Sequence, residues 1–406
     1  MQINRLNIVL LLIILSNIIN MIFPKGMGFE EQVGWVYDIT KYTYGITCLL
    51  MLPSVFTTKY YYFSKMQWMA FLIIFYMSIG HSMGFIFNTY YEMGNYLKML
   101  MICLSFVFFE ETLRTNPHVD KNILYAYVLS IFINVIYLTL IQNRFLTAVE
   151  NEGEATGGQS LANSLVFLLP SIALLFKGRI RVVLIIIGFL AVLASLRRTA
   201  ILGYLLCLPF LYRYMKISIQ RKYVYIMLVC VALITYYVYT HYWFIIEARF
   251  ADMTEANEEG EYGSGRTGWW AVLIQNFIFS PLHYLQGFGL GSVAHDMAVA
   301  GYPYSHAHNG YIEIAYTFGF IGFCLWFGTF FDLFKLSKSK GLFHYKSLIL
   351  MCVISYLFVS MVSGTTFQPH FMCIGFFTAL MLRKKNKNNI HISKEKCKKK
   401  KLPIRL

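Results

Sequence analysis

The stretch Ile8-Val9-Leu10-Leu11-Leu12-Ile13-Ile14-Leu15 decides the fold class. Strands of a membrane barrel alternate lipid-facing and lumen-facing residues over about ten positions. Eight consecutive apolar residues do not alternate, and a helix apolar on every side sits in lipid or in the middle of a bundle. A bilayer core about 30 Å thick takes roughly 20 residues of helix. On that measure the run grows into a span near 6–23. Eleven more follow near 42–57, 66–87, 96–110, 122–142, 159–176, 182–196, 199–212, 223–245, 309–331, 347–363 and 367–382. The chain reads as an all-α polytopic membrane bundle of about twelve transmembrane helices.

Composition points the same way. Of 406 residues, 57% are hydrophobic and 14% charged, with mean hydropathy +0.55. Soluble domains carry about 25% charged residues, so this chain lacks the polar surface to live in water. A net charge of +15 would suit nucleic acid if it lay on one soluble face. It lies instead between apolar runs, which excludes that partner. With the N-terminus placed in the cytoplasm, 27 of the 35 basic residues fall inside and 15 of the 20 acidic residues outside. This follows the positive-inside rule and makes both termini cytoplasmic in a multi-pass membrane protein. The first span lacks an A-x-A-like site before Pro24-Lys25 and reads as a retained helix. The eight cysteines show neither disulfide nor zinc spacing.

The chain divides into N-terminal transmembrane helices (1–176), a region carrying the chemistry (177–331), two last helices (332–382) and a basic tail (383–406). The tail reads as a disordered anchor on anionic lipid. Within the second region, residues 246–308 form one long extracytoplasmic loop, far beyond the usual helix connection of about 2–8 residues. It opens with an acidic stretch, Asp252 to Glu261. Thr267 to Ser280 then reads as an interfacial helix with Trp269 and Trp270 at headgroup level. Pro281 ends it, and Gly287-Phe288-Gly289-Leu290-Gly291 reads as a flexible turn.

Arg197 and Arg198 stand between spans of only 15 and 14 residues, 182–196 and 199–212. A hairpin that short holds both guanidinium groups near or below the headgroups, where charge is expensive. Arg198 also opens a helix, where the macrodipole is already positive. A bound anion explains both features. The competing reading is that the arginines snorkel to lipid phosphates or pair with Glu92 or Glu150. Further on, His306, Asn309 and Glu313 stand at i, i+3 and i+7, one face of a helix, with His308 at its entrance. An outward-facing helix N-terminus is a natural anion site. The two histidines lack a matching cysteine or carboxylate motif, so no metal is read here. His308 fits a satisfied interfacial histidine as well as a base. Arg266 has acidic neighbours, and a surface ion pair is its competing reading. Three arginines, helix N-termini and neutral histidines in one pocket suit a phosphorylated or pyrophosphorylated lipid headgroup. Nucleotide-binding motifs are absent, so no nucleotide cofactor is expected.

At these residues the chain resembles the O-antigen ligase/polymerase family of bacterial envelopes, the Wzy- and WaaL-type proteins. The matching elements are Ser195-Leu196-Arg197-Arg198-Thr199-Ala200, Gly265-Arg266-Thr267-Gly268-Trp269-Trp270, Ser280-Pro281 with Gly287 to Gly291, and His308-Asn309-Gly310-Tyr311-Ile312-Glu313 with Gly319 and Gly322. The resemblance covers roughly residues 180–330. It implies a metal-independent membrane glycosyltransferase whose active site is extracytoplasmic and whose donor is a glycan on undecaprenyl pyrophosphate. In that scheme Arg266 and one of Arg197 and Arg198 hold the pyrophosphate, and His308 positions or deprotonates the attacking hydroxyl. His306 lies in the substrate-binding set, while Asn309 and Glu313 orient His308 and the helix entrance. The family pattern has one arginine after the serine and this chain has two.

The acceptor implied is another lipid-linked repeat unit (polymerase) or lipid A core oligosaccharide (ligase). Polymerase is the first reading, for O-antigen, capsule or another surface polysaccharide, with membrane lipids and a chain-length regulator as further partners. The competing class is a flippase or transporter of a lipid-linked glycan. It fits the span count. It fits less well with ionisable residues gathered at the outer mouth, the exceptions being Lys98 and His81.

Overall fold

The computed structural model describes residues 5–22, 34–57, 61–79, 93–115, 120–141, 162–195, 197–218, 266–302, 307–362 and 369–400, with isolated positions between 225 and 240. The span expected at 223–245, the acidic stretch 252–261, His81, Glu92, Glu150 and His306 lie outside them, apart from those isolated positions. Among the described residues the chain is helical and holds no strand. The helices are α1 (Arg5–Ile22), α2 (Gly34–Met51), α3 (Ser64–Ile79), α4 (Met93–Thr115), α5 (Lys121–Ile141), α6 (Asn163–Leu175) and α7 (Gly178–Ala194). They continue as α8 (Arg198–Ser218), α9 (Arg266–Ile278), α10 (Ser292–Val299), α11 (Gly310–Ser337), α12 (Lys346–Val362) and α13 (Met372–Lys400).

By length and apolar composition, Lys121–Thr139, Gly310–Ser337 and Gly341–Met361 suffice to cross a membrane, and Arg5–Ile19 and Asn163–Leu175 are shorter apolar helices. The spans expected at 182–196 and 199–212 are helices of 17 and 21 residues. Hydropathy had clipped them, because Arg213 and Lys216 end an apolar window without ending a helix. At 1.5 Å per residue α8 is about 32 Å long. Shortness therefore does not hold Arg197 and Arg198 at depth. The basic tail, expected to be disordered, continues α13 as helix to Lys400. Lysine is a good helix former, and a helix already nucleated adds residues at little cost.

Helix α4 is the hub. From Met99 to Phe109 every residue is buried, as a helix apolar all round requires. It packs on α13, α3 and α2. Its approach to α13 depends on Gly375, where a Cβ would stand 2.6 Å from Ser105 Oγ. Small residues let membrane helices come this close.

One end of the bundle is tied by charge. Arg5 bonds Glu111 at 2.8 Å and Ser54 Oγ at 2.7 Å, and Lys65 bonds Asp332 at 2.6 Å. Glu110 accepts the Tyr62 N–H at 2.8 Å. Tyr62 donates its hydroxyl to the Asp332 carbonyl at 3.1 Å. Burial, with the carboxylates of Asp332 and Glu110 beside it, pushes that hydroxyl up to about 12, so it remains a donor at neutral pH. The acids and bases paired here were all assigned by sequence to a single side of the membrane.

Helix α11 is broken. Gly319 has φ 61°, ψ −161° inside it, and a break inside a membrane helix frees backbone groups that need partners. Residues 284–289 supply them. Phe288 N–H and Gly289 N–H donate to the Tyr316 and Thr317 carbonyls at 2.9 and 3.0 Å. Phe320 N–H and Ile321 N–H donate to the Tyr284 and Leu285 carbonyls at 2.7 and 3.2 Å. The Gly287–Gly291 segment, expected as a flexible turn, is a backbone joint docked into the break.

Candidate active site

Asn309 caps α11. Its backbone is extended, and its Oδ1 accepts the N–H groups of Tyr311 (2.9 Å) and Ile312 (3.3 Å). Asparagine is favoured here because its short side chain reaches the orphan donors of the first turn. Since the helix begins at Gly310, Asn309 precedes it and Glu313 is on it, so these two do not share the expected helical face; His306 lies outside the described residues.

Glu313 is buried in the first turn, where a carboxylate also suits the helix dipole. Its Oε2 accepts the Ala307 N–H at 2.7 Å, while the Ala307 carbonyl accepts Trp270 Nε1–H at 2.8 Å. The backbone of one residue, Ala307, is thus gripped by α11 through its N–H and by α9 through its carbonyl. His308 comes next, half-buried, with φ 50°. A left-handed conformation costs a non-glycine residue about 1–2 kcal/mol. Such strain persists only where the surroundings over-determine it, typically at functional positions. Here the grip on Ala307 and the cap at Asn309 fix it from both sides. The imidazole lies 5.9 Å from the Trp269 ring.

Arg266 is the first residue of α9, one helical turn before Trp269. Trp269 and Leu273 face inward and form a small core with Val293, Met297, Ala307 and Tyr316. Of the two tryptophans expected at headgroup level, Trp269 packs in this core and Trp270 is tied to Ala307. The lipid-compatible surface of this unit is the opposite face, where Ile274, Ile278, Phe279, Leu282 and Leu285 are exposed.

A polar cluster missed in the sequence holds the unit together. Asp296 on α10 accepts the Tyr316 hydroxyl of α11, lies 2.7 Å from His295 Nδ1, and accepts Asn276 Nδ2–H of α9 at 3.4 Å. Tyr316 is buried, so removing its acceptor strands a hydroxyl away from water, at about 1–3 kcal/mol. Asp296→Ala should make this unit more easily cleaved in limited proteolysis, with Asp296→Asn milder. Cleavage of the alanine variant at the unsubstituted rate would refute that role.

Arg198 begins α8 and is exposed; Arg197 is half-buried, its N–H donating to Ser195 Oγ at 3.3 Å. Thr199 Oγ1 donates to Asn163 Oδ1 at 3.2 Å, which pins the start of α8 to the start of α6. Neither partner was singled out beforehand. Helix α12 relates this start to His308. Tyr311 donates its hydroxyl to the Leu357 carbonyl at 2.8 Å, and the next residue, Phe358, lies 3.5 Å from where a Gly203 Cβ would be. The second turn of α8 and the first turn of α11 therefore flank the same turn of α12. Both present N-terminal ends, which carry partial positive charge.

A family model described as O-antigen ligase matches residues 183–327. That stretch contains all seven candidate residues, from Arg197 to Glu313. No curated protein matches the chain.

Proposed function

Residues 183–327 belong to the O-antigen ligase/polymerase family, whose members are membrane enzymes acting on glycans, and from that premise we propose that this chain transfers a glycan from undecaprenyl pyrophosphate at the outer face of the plasma membrane. The observation that carries the reading is the coincidence of the matched stretch with the gripped, strained His308, which follows directly on Ala307 and precedes the capped start of α11. His308 takes the proton of the acceptor hydroxyl as its oxygen attacks the anomeric carbon. The bond from that carbon to the pyrophosphate oxygen breaks, and the electron pair leaves on the pyrophosphate. Arg266, with Arg197 or Arg198, stabilises that departing charge. Such a step needs no metal.

Polymerisation of lipid-linked repeat units is the first form of this reading. The description of the matching model favours a second, transfer to lipid A core. Deletion of the gene followed by glycan profiling separates them. Single repeat units on the lipid core indicate a polymerase, and unattached full-length polymer indicates a ligase. An unaltered profile would reject both. Nothing in the family match supports the flippase reading.

A further inference from the structure

At the opposite end of α11 from His308 lies a cavity of about 320 Å³, lined by Tyr61, Tyr62, Glu110, Arg114, Leu382, Arg383 and Lys385 among others. Tyr62, in its wall, bonds the Asp332 carbonyl. Asp332 is 22 residues beyond Gly310, at most about 33 Å at 1.5 Å per helical residue across the break at Gly319, on the order of a bilayer core. The cavity therefore belongs to the other membrane face and is no part of the candidate active site.

Its chemistry is cationic. The one acid among the lining residues, Glu110, accepts the N–H groups of Tyr62 at 2.8 and 3.0 Å and of Phe63 at 3.4 Å, and lies within electrostatic reach of Arg114. Three basic side chains share the wall with this single acid, so its balance is positive. Two stand against aromatic rings: the Arg114 guanidinium 5.9 Å from the Tyr61 centroid and the Lys385 ammonium 5.2 Å from that of Tyr62. Such stacking fixes a cation's position. At about 30 Å³ per water, the volume holds a phosphate group with its first hydration. Ala379 and Leu382, buried on α13, give the wall an apolar side that leads from the cations toward the membrane-spanning part of the bundle. A free anion has no use for that side, whereas the glycerol and first methylenes of a lipid do.

We propose that this cavity binds the phosphate headgroup of an anionic glycerophospholipid in the leaflet opposite the candidate active site. The purified full-length chain in neutral detergent, titrated with phosphatidylglycerol or phosphatidylcholine and read by native mass spectrometry, provides the test. Phosphatidylglycerol should be retained at least tenfold more tightly than phosphatidylcholine. Lys385→Gln should weaken it roughly fivefold, as expected for one cation at an anionic headgroup, and Arg114→Gln with Arg383→Gln and Lys385→Gln at least tenfold. Lys177→Gln removes the same charge from the turn between α6 and α7, which is no part of the cavity lining, and should change nothing. Equal retention by all variants, or an equal loss with Lys177→Gln, would overturn the site. Displacement of the lipid by glycerol 1-phosphate at matched concentration would overturn the lipid as its ligand in favour of a free phosphate.

Discussion

His308→Gly should unfold within about 1 kcal/mol of the unsubstituted chain and should make no long-chain glycan. Glycine adopts the left-handed conformation of residue 308 without the Cβ penalty. The relief roughly offsets the lost contact with Trp269, worth about 0.5–1.5 kcal/mol for a ring pair. Stability thus stays level while the imidazole is gone. A positioned acid–base group contributes about 10²–10⁴-fold to a reaction, enough to erase polymer from a glycan profile. Arg266→Ala should do the same, since a preorganised charge stabiliser contributes about 10²–10³-fold. Arg266→Lys should remain poor, because an ammonium point charge does not reproduce bidentate phosphate contacts. Normal polymer from His308→Gly and Arg266→Ala, at normal protein level, would sink the site assignment.

Gly287→Ala should be severely damaging, as should Gly319→Ala on the other side of the same joint, where a Cβ would stand 2.4 Å from the Leu285 carbonyl oxygen. Gly287 has φ 76°, and a Cβ there would stand 2.5 Å from Gly319 N and from the Thr317 carbonyl carbon and oxygen. All three are backbone atoms of the α11 break, with no side chain able to swing aside. To admit the methyl group, the joint must open, and its four hydrogen bonds are the ones that satisfy the break. Left-handed strain of about 1–2 kcal/mol adds to about 1–3 kcal/mol for each buried polar group left without a partner. The expected loss is therefore at least about 3 kcal/mol, seen as a large fall in unfolding temperature in detergent or as absence from the membrane. Gly301→Ala is the control. Gly301 has φ 84° with open space where its Cβ would go, so it suffers the strain alone. Equal destabilisation by the two substitutions would show that the close approach does not matter.

Much of this architecture was legible because lipid imposes a simple rule. Ile8 to Leu15 declared a helix, and sorting charges by side put Arg5, Glu111, Lys65 and Asp332 on one face of the membrane, although which of them pair was not readable. Asn309 before an apolar run was readable as a helix start. The break at Gly319 was not, since the residues from Ile314 to Ile321 stay almost wholly apolar across it and hydropathy carries no record of φ. The Asp296–Tyr316 bond was equally hidden: its partners stand twenty residues apart on helices that only tertiary packing brings together. His308 was found by its company and its strain was not, because residue type alone does not say which histidine will be forced to positive φ. The inward packing of Trp269 was hidden for a related reason: a tryptophan facing lipid and a tryptophan in a core are the same letter in the sequence.

The joint between residues 284–289 and the α11 break is made from main-chain atoms, and that has a consequence for how such proteins diverge. Every residue but proline offers the same N–H and carbonyl, so mutation can rewrite the side chains on both halves of the seam without touching a bond in it. What must survive is the spacing of the glycines and the absence of proline at the donors. Two proteins sharing this joint should look alike in where their glycines fall and in little else nearby. A search for further members should accordingly weigh the interval from Gly287 to Gly319 above the identity of the residues it encloses.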